Sequence, residues 1–166
     1  MDNYMLRTVI SGSYGKHFGQ MIAIKKFLQG REIIVQAPVS EGIVDGTQDT
    51  FILLDEDPVT DPRTLQDSVF AKIRSSTFLV VANVGGYLGR AAVLEMGYAV
   101  ACGVQILTLE PVEDPNLGVY CRLLTDVFPD WATRHEAPAL AANSAPTRSV
   151  HEAELISAGN PSAQGR

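Results

Sequence analysis

The segment from Phe78 to Leu109 constrains the fold more than any other part of this 166-residue chain. Phe78 to Val84 is a nearly unbroken apolar run, Gly85, Gly86 and Gly89 punctuate a turn, a helix follows around one acid, Glu95, and a second apolar run starts at Val104. Strands that are apolar on both faces belong inside a parallel sheet, and two of them joined through a helix make a right-handed crossover. The glycines matter for chemistry as well as geometry. A turn without Cβ atoms, leading into a helix whose first N–H groups are free, lets an anion come close to the backbone.

The rest of the chain repeats the alternation. Leu6 to Ile10 reads as a strand, Ser11 to Gly15 as a loop, and Phe18, Met21, Ile22, Ile24, Lys25 and Leu28 as a helix stopped by Gly30. Glu32 to Val39 reads as a buried strand and Thr64 to Ser75 as an amphipathic helix. Between them, Ser40 to Pro62 holds five aspartates and two glutamates and reads as a long functional loop, with a short helix around Phe51 to Leu54. Leu117, Tyr120, Leu123, Leu124 and Val127 predict a last helix over 116–128, and Trp131 closes the fold. The expected class is α/β: a doubly wound, mostly parallel sheet of the flavodoxin or Rossmann-like kind with helices on both faces. Ligands of such sheets bind at the carboxyl ends of the strands, where Ser11 to Gly15 and Gly85 to Arg90 fall.

With 46% hydrophobic and 19% charged residues, one domain over 1–131 is expected. From Ala132 bulky apolar residues become scarce, so 132–166 is expected to be a disordered tail. A formal net charge of −6 argues against a nucleic-acid partner. Cys102 and Cys121 lack ligand spacing and are expected as buried thiols in a reducing cytoplasm. With no membrane span and no signal-peptide h-region, the expectation is a cytoplasmic protein with no membrane partner.

Glu95-Met96-Gly97-Tyr98-Ala99, followed by Gly103 and an apolar strand, resembles the E-x-G-[YW]-A segment of the nucleoside 2-deoxyribosyltransferase superfamily. Its relatives include the 2′-deoxynucleoside 5′-phosphate N-hydrolases and the cytidylate hydrolases of nucleoside antibiotic pathways. Ser11-Gly12-Ser13 resembles the family's N-terminal G-S segment, and the similarity spans roughly residues 7 to 112. The resemblance implies that Glu95 attacks the anomeric carbon of a nucleoside or nucleotide, that the Ser11 loop holds sugar or phosphate, and that a homo-oligomer can complete the site. Tyr98, three residues on, shares the helix face of Glu95 and can hold its carboxylate. Ser11, Ser13 and the backbone of Gly12, Gly85, Gly86 and Gly89, with Lys16, His17 or Arg90, can hold a 5′-phosphate. Protonating the leaving base falls to Asp45, Asp49, Asp55, Asp57 or His17. The chain departs from the family where two acids are expected, carrying Val69 and Thr77 instead.

Each of these residues also has a structural reading: Glu95 as a satisfied buried acid, Tyr98 as sheet packing, the loop serines as turn chemistry, the acidic loop as solvated surface. No cofactor is implied, and Asp55, Glu56 and Asp57 lack EF-hand spacing for a metal. Gly85-Gly86 with Gly89 and Glu95 also distantly resembles the phosphoribohydrolases once called lysine decarboxylases, which cleave the same kind of bond. The expected function is N-glycosidic cleavage or transfer by hydrolase or transferase. The alternative is a non-catalytic nucleotide-binding or sensor domain. A dinucleotide site is disfavoured, since Ser11-Gly12-Ser13-Tyr14-Gly15 is not G-x-G-x-x-G.

Overall fold

Five strands, β1 (Arg7–Gly12), β2 (Ile34–Ala37), β3 (Phe78–Ala82), β4 (Gln105–Thr108) and β5 (Cys121–Leu123), form one sheet in the order β2-β1-β3-β4-β5. Every neighbouring pair is parallel. The structure, a computed structural model, describes residues 4–42 and 54–136. Asp45, Asp49, most of the segment expected as a helix around Phe51 to Leu54, and the chain from 137 on lie outside the described residues.

Pleating divides the core in two. Leu6, Ile10, Phe78, Val80 and Ala82 face one layer, with α1 (Tyr14–Gln29), α5 (Leu124–Val127) and α6 (Asp130–Glu136). Val9, Leu79 and Val81 face the other, with α2 (Pro62–Arg74) and α3 (Arg90–Ala101). All five residues of β3 are buried, as a strand covered on both faces must be. The helix starts follow from local chemistry. The Ser13 side chain accepts from Lys16 N at 3.2 Å to cap α1, and Asp61 accepts from Thr64 N at 2.8 Å to cap α2, with Pro62 opening it.

The doubly wound parallel architecture is the expected one, and three local expectations are corrected. β1 runs two residues further than its apolar run, because Ser11 and Gly12 continue the ladder against Val81 and Ala82. β2 is a half-buried edge strand, not a buried one, since it pairs only with β1 and only Ala37 is fully buried. The helix expected over 116–128 does not form. Gly118 ends α4 (Pro115–Gly118) after one turn, Val119 and Tyr120 are exposed, and Cys121 opens β5. The helical spacing of Leu117, Tyr120, Leu124 and Val127 arises from separate elements, and a three-residue strand is too short to show a period of two.

At the other end of the chain, Trp131 lies edge-to-face on Phe27 with ring centroids 5.1 Å apart. Arg31 lies over Phe27 and Phe128 at 5.1 and 5.5 Å and pairs with Asp130. Helix α6 therefore continues past the boundary expected after Trp131, running to Glu136. Among the described residues no helix is long and apolar enough to cross a membrane. Because Trp131 is 8% exposed, Trp131→Ala should lower unfolding free energy by about 3 kcal/mol in urea melts. A change within 0.5 kcal/mol, about the range of surface substitutions, would mean that α6 adds nothing to the core.

Candidate functional site

Ser11 follows Val9 by two residues on β1, so its side chain points into the layer of α2 and α3. There its hydroxyl donates to Oε2 of Glu95, and Gln66 of α2 donates through Nε2 to Oε1 of Glu95 at 3.0 Å. A carboxylate 8% exposed is thus held by one donor from the sheet and one from a neighbouring helix, at the carboxyl end of β1. Burial raises the Glu95 pKa above the usual carboxylate range, and the donors Ser11 and Gln66 oppose that rise by favouring the ionised form. Tyr14, the first residue of α1, feels the same carboxylate. Burial first, then the charges of Glu95 and Asp57, push its phenol strongly upward, so it stays a protonated donor.

The acidic loop enters through pinned residues. Buried Lys25 donates to the carbonyls of Pro38 at 2.9 Å and Val39 at 3.4 Å, fixing the exit from β2. Ser40 donates to Asp55, whose N–H in turn bonds Gly42 O at 3.1 Å. Asp55, a candidate substrate ligand, is therefore engaged by its own loop. Half-buried Asp57 accepts from Leu54 N at 2.8 Å and is the acid whose charge reaches Tyr14.

The glycine turn after β3 is an anion-binding concavity, and the anion in it belongs to the chain. Gly85 and Gly86 have φ of 63° and 73°, and their N–H groups donate to Oε1 and Oε2 of Glu110 at 3.0 and 2.9 Å. Buried Asn83 locks the same pair of strand ends, donating to Glu110 O at 2.8 Å and accepting from Glu110 N at 3.0 Å. The donors expected for a phosphate are thus taken by a carboxylate just past β4. Gly89 caps α3, and Arg90 is exposed at its first position.

Tyr87 folds back over the start of α1. Its ring lies 4.1 Å from Lys16 Nζ and edge-on to His17 at 5.8 Å. His17 breaks the helical dihedrals of α1 (φ −129°, ψ 24°), and its Nδ1 is buried without a hydrogen-bond partner among the described residues. Gly12 has a packing reason of its own, since a Cβ there would lie 3.1 Å from Met21 Sδ and 3.2 Å from Ala82 Cβ.

Tyr98 does not hold Glu95. It stacks on Phe70 at 4.5 Å, and a hydrogen bond with Cys102, with some burial, raises its phenol pKa. Thr77 accepts from Arg7 N at 3.2 Å at the amino end of β3, and Val69 packs in the α2–α3 layer. The partner that sequence reading missed is Gln66. It lies three residues before Val69 and seven before buried Ile73, a polar residue on the apolar stripe of α2, and that misplacement is its signal. Glu110 had no such signal. Asp67, the acid two residues before Val69, is exposed and 3.8 Å from Arg63.

Fold and site define a doubly wound α/β domain with a buried carboxylate at the carboxyl end of its central strands. No family model, no curated protein and no solved structure matches the chain.

The raised Glu95 pKa fixes a sign. Between the unfolded and the folded pKa the native state holds a proton that the unfolded chain has released, so stability falls as pH rises through that window. Urea melts from pH 4 upward should show the decline. Glu95→Gln should flatten it and leave the variant at least as stable as the parent at neutral pH. An unchanged profile would assign the decline to other groups.

Proposed function

We propose that the chain cleaves or transfers the N-glycosidic bond of a nucleoside or nucleoside 5′-monophosphate, as a cytoplasmic enzyme without a cofactor. The observation that carries this reading is the buried Glu95 carboxylate, fixed by Ser11 and Gln66 beside a protonated Tyr14. Its place within the E-M-G-Y-A segment supports the likeness to nucleoside 2-deoxyribosyltransferases.

In this mechanism a Glu95 oxygen bonds to the anomeric carbon while the bond to the base nitrogen breaks and its electron pair leaves with the base. Ser11 and Gln66 favour the ionised form against the effect of burial and aim the carboxylate, lending hydrogen bonds that do not have to form during the reaction. Asp57 lies on the base side, as the described acid of the 40–62 loop whose charge reaches the phenol beside Glu95, and the proton the leaving base takes up comes from the Tyr14 phenol, which burial and both carboxylates keep protonated. Water then releases the sugar in a hydrolase, and a second base accepts it in a transferase. A 5′-phosphate meets Ser13, Lys16 and His17 at the start of α1, because Glu110 occupies the Gly85–Gly86 donors.

A panel of nucleosides and nucleotides assayed for free base tests this. At least one should release base, and Glu95→Ala should lower the rate roughly 10³-fold with cooperative melting retained. Calorimetric binding of a nucleotide without any base release would instead support the sensor reading. Loss of stability with activity per folded molecule preserved would return Glu95 to a structural role.

A further inference from the structure

Glu95 and its donors lie at the carboxyl ends of the strands, and the amino ends hold a second concavity. A cleft of about 450 Å³ lies between Tyr4, Met5 and Arg7, at the entry into β1, and residues 74–77, which lead from α2 into β3. Arg7 precedes Val9 by two residues, so it stands on the side of the sheet that α2 covers. Arg74 follows buried Ile73 in the last turn of α2. Four residues of β1, about 13 Å, separate Arg7 from Ser11, and eight residues of α2, about 12 Å, separate Arg74 from Gln66. The cleft is therefore remote from Glu95.

We propose that this cleft binds a small phosphate monoester with an apolar organic part, held by the guanidiniums of Arg7 and Arg74 and the hydroxyl of Thr77. The inference does not rest on the reaction proposed above and survives if that reaction fails.

Two arginines line one cleft with no carboxylate in it. Acids outnumber lysines and arginines 19 to 13 in the chain, and Lys26, Arg31 and Arg63 are each paired with one. Among the described residues no such pair includes Arg7 or Arg74. Helix capping does not use them either. The carbonyl of Lys72 accepts from the hydroxyls of Ser75 and Ser76 at 3.0 and 2.8 Å and from Nε2 of Gln36 at 3.1 Å. The carbonyls of Ala71 and Ile73 accept from the N–H groups of Ser75 and Ser76. The end of α2 is thus closed by other donors, and Arg74 adds only its charge to the helix dipole. Thr77 accepts from Arg7 N at 3.2 Å, which leaves its own hydroxyl proton to give. An acid at position 77 would set a carboxylate beside Arg7 and cancel one of the two charges.

These donors select the ligand class. An arginine fork binds an oxyanion through two parallel N–H···O bonds, and a phosphate monoester offers three terminal oxygens and nearly two charges, enough for two forks and a hydroxyl. A carboxylate offers two oxygens and one charge. The remaining rim is Tyr4 and Met5, 61% and 53% exposed, a ring and a thioether on which an apolar group can lie. The volume is that of a small-molecule pocket, and a bare phosphate ion would leave the rim unused.

Nuclear magnetic resonance titrations of the full chain with phenyl phosphate, benzoate and inorganic phosphate, at constant ionic strength, test the proposal. Phenyl phosphate should saturate in the millimolar range expected of so small a ligand, with the largest amide shifts at Arg7 and residues 74–77. Benzoate keeps the ring and loses the phosphate, inorganic phosphate loses the ring, and both should bind several-fold more weakly. Arg7→Gln and Arg74→Gln replace exposed side chains, so each should keep a cooperative melt and weaken phenyl phosphate about tenfold. Arg63→Gln, at the far end of α2, should leave binding unchanged. Shifts that stay linear, or that fall at residues 13–17 and not at 74–77, overturn the proposal. So does equal binding of benzoate or inorganic phosphate, or a titration that neither arginine variant changes. The shift map of the parent decides alone if a variant fails to fold.

Discussion

Burying the Glu95 carboxylate sets the terms for much of the structure around it. A carboxylate taken out of water is tolerated only where donors replace its hydration, and here one donor comes from β1 and one from α2. The demand reaches into strand register. Ser11 meets Glu95 because it follows Val9 by two residues; a slip of one residue would turn it toward α1 and leave the carboxylate short of a partner. The apparent surplus of polar residues at the strand end is therefore a positional requirement, joining sheet, α2 and α3 at one point.

The loops around that point are held by the same kind of bond. Lys25 fixes the chain leaving β2, Ser40 and Asp55 close the acidic loop on itself, and Asn83 with Glu110 ties the end of β3 to the end of β4. Except for the side-chain pair Ser40–Asp55, these are bonds between side chains and backbone at strand exits, where backbone groups no longer have ladder partners. The consequence is a rim in which many polar groups are already matched. One exception is His17 Nδ1, buried without a partner among the described residues, and close to it in the chain the Tyr14 phenol is held protonated by burial and by the charges of Glu95 and Asp57. Both sit at the start of α1, so the capacity for new hydrogen bonds is greater there than at the glycine turn.

How much of this could be read from the sequence follows from the range of each interaction. β3, α3 and β4 were legible because a doubly covered parallel strand is apolar throughout and the glycines bound it. Glu95 was legible because an acid among Val93, Leu94 and Met96 breaks an apolar pattern. Gln66 breaks the pattern of α2 in the same way, but its meaning depends on which residue of α3 it faces, and packing between elements is invisible to periodicity. Tyr98 shows the same limit: three residues from Glu95 it shares a helix face, yet α2 offers Phe70 at stacking distance and the ring goes there. β5 was lost for another reason. Three residues at a sheet edge carry too little pattern, and neighbouring leucines completed a helical spacing across a helix end at Gly118.

Glu110 shows how a motif can be read for its chemistry and still be misjudged in its occupant. Two successive left-handed glycines point their N–H groups into one concavity, which binds an anion of any origin. A carboxylate tethered nearby competes at an effective concentration of order millimolar, so a free phosphate reaches these donors only if other contacts raise its affinity above that level. Glu110 is anchored further by its own backbone bonds to Asn83, which keep the carboxylate close even when the turn opens. The glycine turn is therefore closed from within the chain, while at the start of α1 Lys16 and His17 are met by the Tyr87 ring and by no carboxylate of this kind among the described residues. On the proposed function, the contacts to an anion therefore fall to Ser13, Lys16 and His17 rather than to the glycines, whose donors Glu110 already occupies.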